Sequence, residues 1–174
     1  MLIGRVLFAM LLGLAAVGLS APEALAAEGV QTGSVTGLRL PRYVSLRFDK
    51  TNVREGPTKN HRTAWIFQRA GLPVEIIGEF DTWRRIRDSE GSEGWVLASL
   101  LSGRRTALVL PWRKTDVVPI HPKPGAPEVA AQLQSGVLAN VKICQAGWCR
   151  VFGEGFDGFI KQGDLWGVYP DESF

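Results

Sequence analysis

Apolar and polar residues alternate with a period of two over most of the chain, a pattern typical of half-buried β-strands. Val74 and Ile76 alternate with polar neighbours, and a tight turn at residues 80–82 leads into a returning strand over residues 83–87. Beyond residues 1–27, sustained helical periodicity is missing, and the pattern predicts one helical turn at residues 98–101. We therefore predict an all-β fold.

The second half of the chain repeats the pattern of the first half. Trp83 follows Gly71 by the same interval as Trp148 follows Gly136. Matching motifs follow at equivalent places, W-R-R-I and G-W-V in the first copy, W-C-R-V and G-F-I in the second. A repeat of this length predicts two tandem small domains, because solenoid repeats are shorter.

Each copy begins with a short hook. In the first copy it is N-V-R-E-G-P at residues 52–57, which predicts that Val53 enters a core before a Gly-Pro turn. In the second copy the equivalent segment, residues 117–125, is rich in proline and reads V-V-P-I-H-P-K-P-G. We expect Pro119 and Ile120 to stand at the positions of Val53 and Arg54.

Residues 1–27 have the composition of a secretory signal. Arg5 precedes an uncharged apolar run over residues 6–19, and A-L-A at residues 24–26 supplies the small residues that a signal peptidase requires. The run is short for a membrane span, although an uncleaved tether remains the alternative. We predict a cleavable signal helix and a periplasmic or secreted mature chain without integral membrane association.

Cys144 and Cys149 are the only cysteines. In an exported protein such a pair predicts a disulfide, which would stabilise this small loop by roughly 2 kcal/mol. In the repeat, Glu79 and Arg84 correspond to the two cysteines, and our hypothesis is that a charge pair holds the first hairpin. An exposed ion pair would contribute about 0–1 kcal/mol, so we expect the second hairpin to be stiffer.

The order N-V-R-x-G-P, G-x-x-V-x-I, then E-G-W-V resembles the bacterial SH3-like (SH3b) domain. The resemblance implies two small five-stranded β-barrels. The apolar connection between them, which contains Leu108 and Val109, predicts that the domains pack together, with Trp166 and Tyr169 sealing an interdomain or terminal surface. The predicted organisation is a signal peptide at 1–27, an N-terminal extension at 28–42, SH3-like domain 1 at 43–103, a linker at 104–111, SH3-like domain 2 at 112–170 and a C-terminal tail at 171–174.

Composition narrows the class of partner. The chain has 174 residues, 45% of them hydrophobic, and a formal net charge of +3. This charge is too small for a nucleic-acid-binding footprint. His61 and His121 lie in polar or proline-rich turns far apart in sequence, so we predict neither a metal site, nor a cofactor, nor a catalytic group paired with a base.

The resemblance implies a non-catalytic binding or targeting module that recognises cell-wall (peptidoglycan) glycopeptides. Aromatic platforms beside cationic groups would carry this binding. The alternative function is an adaptor that binds an envelope protein and has no affinity for the wall. A second alternative concerns the site itself, in which Trp83 caps the core and the arginines are solvated. The candidate ligand-binding residues are Arg54, Trp65, Trp83, Arg85 and Arg87.

Overall fold

The structure, a computed structural model, describes residues 31–114 and 116–174, so the predicted signal peptide lies outside the described residues. This part of the chain consists of short β-strands with two single 3-10 turns, which confirms the all-β prediction. One of these turns, Ala98–Leu100, occupies the predicted helical turn. Over the same ranges, no helix is both long enough and apolar enough to cross a bilayer.

The first domain is one antiparallel sheet that curves around a core. Its strands are β1 (Arg42–Leu46), β2 (Thr51–Arg54), β3 (Thr63–Phe67), β4 (Pro73–Phe80), β5 (Trp83–Arg87), β6 (Glu93–Leu97) and β7 (Leu101–Ser102). They join in the order β3-β2-β6-β5-β4-β1-β7. The inward-facing residues form one apolar cluster that includes Leu46, Val53, Val74, Ile76, Ile86 and Val96.

The second domain repeats this plan. Its strands are β8 (Thr106–Val109), β9 (Val117–Ile120), β10 (Ala131–Gln134), β11 (Leu138–Gln145), β12 (Trp148–Gly153), β13 (Phe156–Lys161) and β14 (Leu165–Trp166). Five of them form a sheet in the order β13-β12-β11-β8-β14, and β9 and β10 form a separate ladder. A bridge between His121 and Phe159 connects that ladder to the sheet. These strands enclose a second apolar core.

The segment predicted as a linker contains a strand. Within residues 104–111, β8 pairs with β11 and β14, as β1 pairs with β4 and β7 in the first domain. Ala107 and Val109 are fully buried in the second core. The apolar character of the connection therefore reflects its place in the sheet, and we propose that the second domain begins near Thr106.

The two hooks align differently from the sequence prediction. Val53 lies directly under Gly94, and Ile120 lies under Gly158, the glycine at the same place in the second copy. Both side chains are fully buried, whereas Pro119 is exposed. The match of Pro119 with Val53 was therefore wrong, because the position that faces the core must be apolar. It follows that His121 takes the place of Arg54.

Replacing Gly94 with alanine is expected to destabilise the first domain. The added Cβ would overlap the side chain of Val53 and would lie 3.1 Å from both the Arg54 carbonyl oxygen and the Trp65 ring. Overpacking of this kind costs roughly 1–3 kcal/mol, which denaturant unfolding would measure. Gly103→Ala is the matched control, because nothing lies within 4 Å of its Cβ position. Equal unfolding free energies for the two variants would contradict the prediction.

The charge pair and the disulfide occupy equivalent hairpins, as the hypothesis required. Cys144 and Cys149 face each other across β11 and β12 and are joined in a disulfide. Glu79 and Arg84 face each other across β4 and β5, with Arg84 Nε 3.6 Å from Glu79 Oε1. The expectation that this ion pair is exposed was wrong, however, since the Glu79 side chain has 0% exposure.

A segment ahead of the first domain covers Glu79. Its carboxylate accepts hydrogen bonds from the backbone N–H groups of Val35 and Thr36 (3.0 and 2.9 Å), from the Thr36 hydroxyl (2.7 Å) and from Arg42 (2.8 Å). Burial raises the pKa of this carboxyl, but the hydrogen bonds from Thr36, Arg42 and Val35 outweigh burial and lower the pKa to about 2. Glu79 therefore fastens the N-terminal extension to the hairpin.

Polar groups connect the two domains near the start of β8. The Thr106 hydroxyl donates to the Gly71 carbonyl oxygen at 2.6 Å and lies 2.7 Å from the Ser45 hydroxyl. Thr106 and Ser45 are both buried. Because each hydroxyl has a partner, burying these polar groups costs little, and the contact fixes β8 against β1 and the turn before β4.

An aromatic cluster extends the contact between the domains. The Tyr43 ring lies 5.2 Å from the Trp166 ring and 4.6 Å from the Tyr169 ring, measured between centroids. The Tyr169 hydroxyl donates to Glu75 Oε1 at 2.8 Å, while Arg87 donates to the other oxygen of Glu75 at 2.6 Å. Burial and the hydrogen bond to Glu75 raise the pKa of Tyr169, which keeps this donor protonated. The predicted interdomain role of Trp166 and Tyr169 is confirmed.

Candidate functional site

The first domain carries a small cleft between the loop that follows β2 and the 3-10 turn. Its volume is about 120 Å³, and its lining residues are Asn52, Arg54, Lys59, Trp83, Leu97 and Leu100. Alternation along β2 explains the placement, because Thr51 and Val53 face the core and their neighbours face outward. Trp83 pairs across the ladder with Leu97, and this pair forms the floor of the cleft.

The rim of the cleft is cationic. Arg54 donates to the His61 carbonyl oxygen at 2.7 Å, a contact that leaves its charge uncompensated. Across the described ranges, neither Arg54 nor Lys59 has an acidic partner within salt-bridge distance. The nearby Glu55 accepts a hydrogen bond from Arg62 at 3.0 Å, which lowers the pKa of Glu55. The charge of Glu55 is therefore paired with Arg62 rather than with Arg54 or Lys59. The cleft therefore favours an anionic group.

The loop that carries Lys59 is held in place by its own contacts. The Thr58 hydroxyl lies 2.8 Å from His61 Nδ1, and the Glu55 N–H donates to the Arg62 carbonyl oxygen at 3.1 Å. Together with the contact from Arg54 to His61, these bonds close both ends of the loop. A ligand would therefore meet a preformed rim, which reduces the entropy lost on binding.

The predicted site residues do not all come together. Arg54 and Trp83 share the cleft, where Trp83 is only 7% exposed. Arg85 lies farther along β5 and pairs with Glu93 at 2.7 Å. Arg87 pairs with Glu75 beside the second domain. Trp65 packs edge-on against Phe67, with ring centroids 6.1 Å apart.

Sequence reasoning missed four lining residues of the cleft. Asn52 and Arg54 belong to the hook and Lys59 follows it, so the two cations close together in sequence were the available signal. Leu97 and Leu100 belong to the end of β6 and the 3-10 turn. Their contribution depends on how the turn folds back over Trp83, which residue spacing does not reveal.

The equivalent surface of the second domain has different chemistry. His121 replaces Arg54 and lies edge-on to Trp148, the counterpart of Trp83, with ring centroids 5.7 Å apart. The His121 ring nitrogen Nδ1 lies 2.9 Å from the Glu128 carbonyl oxygen. Beside Trp148 is an apolar pocket of about 300 Å³ whose lining residues are Pro124, Ile143, Gln145, Ala146, Trp148 and Phe159. This surface favours an apolar group.

The remaining reactive side chains are engaged or dispersed. Both cysteines are consumed by the disulfide. In the described part of the chain, no group of three or more histidine, cysteine, aspartate or glutamate residues has the geometry to hold a metal ion.

Comparison with known proteins gives matches at the level of structure and family. No curated protein sequence matches the chain. The structure of NlpC2 from Trichomonas vaginalis is 15% identical in sequence to this chain. The aligned region covers 72% of this chain and 48% of NlpC2, with a TM-score of 0.33. NlpC1 from the same organism is also 15% identical, with coverages of 77% and 48% and a TM-score of 0.31. The chain thus spans about half the length of these structures.

The family comparison covers most of both domains. The model described as "Bacterial SH3 domain" matches residues 49–103 and again residues 116–167. The two matched segments begin at the two hooks and end at the last strand of each sheet, so they follow the repeat seen in the fold. The chain belongs to the bacterial SH3 domain family and carries two copies of the domain in tandem.

Proposed function

We propose that the chain is a non-catalytic binding module of the bacterial cell envelope. Its first domain would hold a carboxylate-bearing peptide, such as the stem of a cell-wall glycopeptide, in the cleft formed by Arg54, Lys59 and Trp83. The observation that carries the proposal is the pairing of an aromatic floor with two cations whose charges are not compensated. Such a site attracts a carboxylate electrostatically while the ring packs against the apolar part of the peptide.

The disulfide supports an extracytoplasmic location. Such bonds persist in oxidising compartments and are rare in the reducing cytosol. The Cys144–Cys149 bond closes the hairpin between β11 and β12, and it stabilises a small domain whose core is limited by its size. A wall ligand would be accessible to the protein in that compartment.

The alternative function is an envelope adaptor that binds another protein. The apolar pocket beside Trp148 favours it, because Ile143 in the pocket wall is 42% exposed and the lining residues carry no charge. Exposed apolar patches of this kind mark protein contacts. The adaptor would use the second domain, whereas wall binding would use the first.

Sedimentation with purified peptidoglycan tests the proposal. We expect the mature protein to pellet with the wall, and Lys59→Glu to weaken its affinity at least fivefold, since the reversed charge would repel the ligand carboxylate. Lys59 is exposed, so the substitution leaves the core intact. Binding is also expected to weaken as salt rises, because screening reduces the attraction between exposed charges.

Lys123→Glu is the matched control, since Lys123 is equally exposed but lies in the second domain. It should pellet like the unmodified protein. The proposal fails if the unmodified protein remains in the supernatant, or if Lys59→Glu pellets as well as the control. Recovery of a cross-linked envelope protein without any pelleting would favour the adaptor.

A further inference from the structure

The first sheet has an uncovered outer strand. β3 (Thr63–Phe67) stands at the end of the strand order, and within the described ranges it pairs only with β2. The other outer strands are shorter or covered. β7, β10 and β14 contain two to four residues each, and β9 and β13 are joined through the bridge of His121 with Phe159. The backbone N–H and C=O groups on the free side of β3 are therefore open to another strand.

The free strand is apolar and carries no charge. Its sequence is T-A-W-I-F, in which Trp65 and Phe67 are half-buried and pack against the core. Ala64 and Ile66 face outward, and Ile66 is 42% exposed. Aromatic and β-branched residues favour strand pairing. Natural edge strands commonly prevent such pairing with charged residues or proline, and β3 contains neither.

The second domain shows that the fold does not require an apolar outer strand at this place. β10 pairs with β9 as β3 pairs with β2. The outward residues of β10 are Gln132 and Gln134, both of them exposed and polar. The two copies of the domain therefore differ at the same edge, and the apolar edge of the first copy is not needed for folding.

Cations lie close to one end of β3. The chain turns after this strand so that the Gly71 N–H donates to the Leu46 carbonyl oxygen at 2.8 Å, which places residues 69–71 beside residues 46–50. The exposed cations of these two segments form no salt bridge within the described ranges; they are Arg47, Lys50 and Arg69. Asp49 is the one acid among them, and it accepts a hydrogen bond from the Ala70 N–H at 3.0 Å. This end of the edge favours an acidic partner.

The same cations make a second copy of this chain a poor partner. Arg62 precedes β3 and Arg69 follows it. Antiparallel pairing of two β3 strands would bring Arg62 of one copy beside Arg69 of the other at both ends, and like charges across a ladder are destabilising. Arg62 does pair with Glu55, but its side chain is 81% exposed, so this pairing compensates its charge only weakly.

We propose that the free edge of β3 binds an extended segment of a partner protein, apolar at its centre and acidic at its ends, by strand addition. The segment would lie along Trp65 to Phe67, where the ladder with β2 is regular, because Ala64 is skipped in that ladder. Its apolar side chains would pack beside Ile66, and an acidic side chain would reach Lys50 and Arg69.

A pocket beside the strand suits that acidic side chain. Its volume is about 390 Å³, and its lining residues are Asp49, Lys50, Ile66 and Gln68. The aliphatic part of a glutamate would contact Ile66 while its carboxylate lies toward Lys50. This peptide site goes beyond the proposed function, since it shares no lining residue with the cleft of the first domain or with the pocket beside Trp148.

Fluorescence anisotropy with a labelled heptapeptide tests the edge. The probe has glutamate at both ends and alternating valine and threonine between them. We expect saturable binding to the mature protein, with slower hydrogen exchange of the β3 amides that face away from β2. Arg69→Glu should weaken the affinity at least fivefold, because the reversed charge repels glutamate. Lys161→Glu is the matched control, since Lys161 is an exposed cation of the second domain, and it should leave the affinity within twofold.

Two changes to the probe separate strand addition from simple charge attraction. Lysine in place of both glutamates should weaken binding at least tenfold, and N-methylation of the central peptide bonds should abolish it, because the main-chain donors are lost.

The peptide site is overturned if the original probe does not saturate, if the N-methylated probe binds as tightly, or if Arg69→Glu binds like Lys161→Glu. Self-association of the mature protein that the probe disrupts would place a second copy on this edge and would also overturn it. Arg69 does not line the cleft, so Arg69→Glu should leave pelleting with the wall unchanged, and the two proposals fail independently.

Discussion

Replacing Glu79 with alanine is expected to lower the free energy of unfolding of the first domain by about 3 kcal/mol. The carboxylate is completely covered, and it accepts bonds from Val35, Thr36 and Arg42 while Arg84 lies 3.6 Å away. Its removal leaves Arg42 and Arg84 close together with most of their side chains buried, at 19% and 9% exposure. Two uncompensated cations in that setting are strongly destabilising.

The effect should depend on pH with a definite sign. The pKa of Glu79 falls from its ordinary value of 4.5 to about 2 on folding. The carboxylate therefore contributes its full stability above about pH 4.5, and the contribution is lost as the pH falls toward 2. A shift of this size corresponds to about 3 kcal/mol. Denaturant unfolding between pH 2 and 7 should show the gap between the unmodified protein and Glu79→Gln closing toward low pH.

Glu93→Ala is the matched control for Glu79. Its partner Arg85 is half exposed, so the pair should contribute only about 0–1 kcal/mol. Loss of Glu79 should also release the N-terminal extension, which trypsin cleavage after the exposed Arg39 would report. The role assigned to Glu79 is wrong if both alanine variants unfold alike, or if the gap for Glu79→Gln is constant across the pH range.

The hairpins and the disulfide follow from local sequence, and this is why they could be predicted. A tight turn between alternating segments specifies which strands pair, and the repeat then places Cys144 opposite Cys149 and Glu79 opposite Arg84. Burial of Glu79 could not be predicted in the same way. It depends on Thr36, which is distant in sequence and contacts the hairpin only through the tertiary fold.

The candidate site was predicted only in part. The alternation of polar and apolar residues predicts which face of a strand a side chain lies on, but not which other side chains it contacts. Arg85 and Arg87 face outward as expected, yet they form ion pairs with Glu93 and Glu75 respectively. Arg54 keeps an uncompensated charge because its contact is a backbone carbonyl. The sequence predicted that Trp166 and Tyr169 lie at a domain contact, but residue spacing does not reveal their partners in the first domain, Tyr43 and Glu75.

Replacing Gly167 with alanine is expected to cost at least about 3 kcal/mol and to loosen the contact between the domains. Gly167 has a φ of +119°, which residues with a side chain rarely adopt. The added Cβ would also overlap the Thr106 carbonyl oxygen and would lie 3.0 Å from Ala107 Cα and 3.1 Å from Pro73 Cβ of the first domain. Two of these three atoms belong to the backbone of β8, which cannot rotate away as a side chain can.

Gly167→Ala should affect domain packing because Thr106, which the new Cβ would overlap, also contacts the first domain. If β8 shifts to admit the new Cβ, the Thr106 hydroxyl loses its 2.6 Å bond to Gly71. The nearby bond from Tyr169 to Glu75 should weaken with it, since Tyr169 follows Gly167 closely in the chain. Calorimetry should therefore show a lower transition temperature, and NMR should show shifted Tyr43 and Ser45 resonances in the domain that does not carry the substitution.

Gly155→Ala separates backbone strain from collision. Gly155 also has a positive φ of +78°, but nothing lies within 4 Å of its Cβ position. Strain alone should cost about 1 kcal/mol there, so the larger cost of Gly167→Ala reports the overlap with β8 together with the greater strain of its φ of +119°. If Gly167→Ala is no more destabilising than Gly155→Ala, or if the first-domain resonances stay in place, Gly167 does not hold the two domains together.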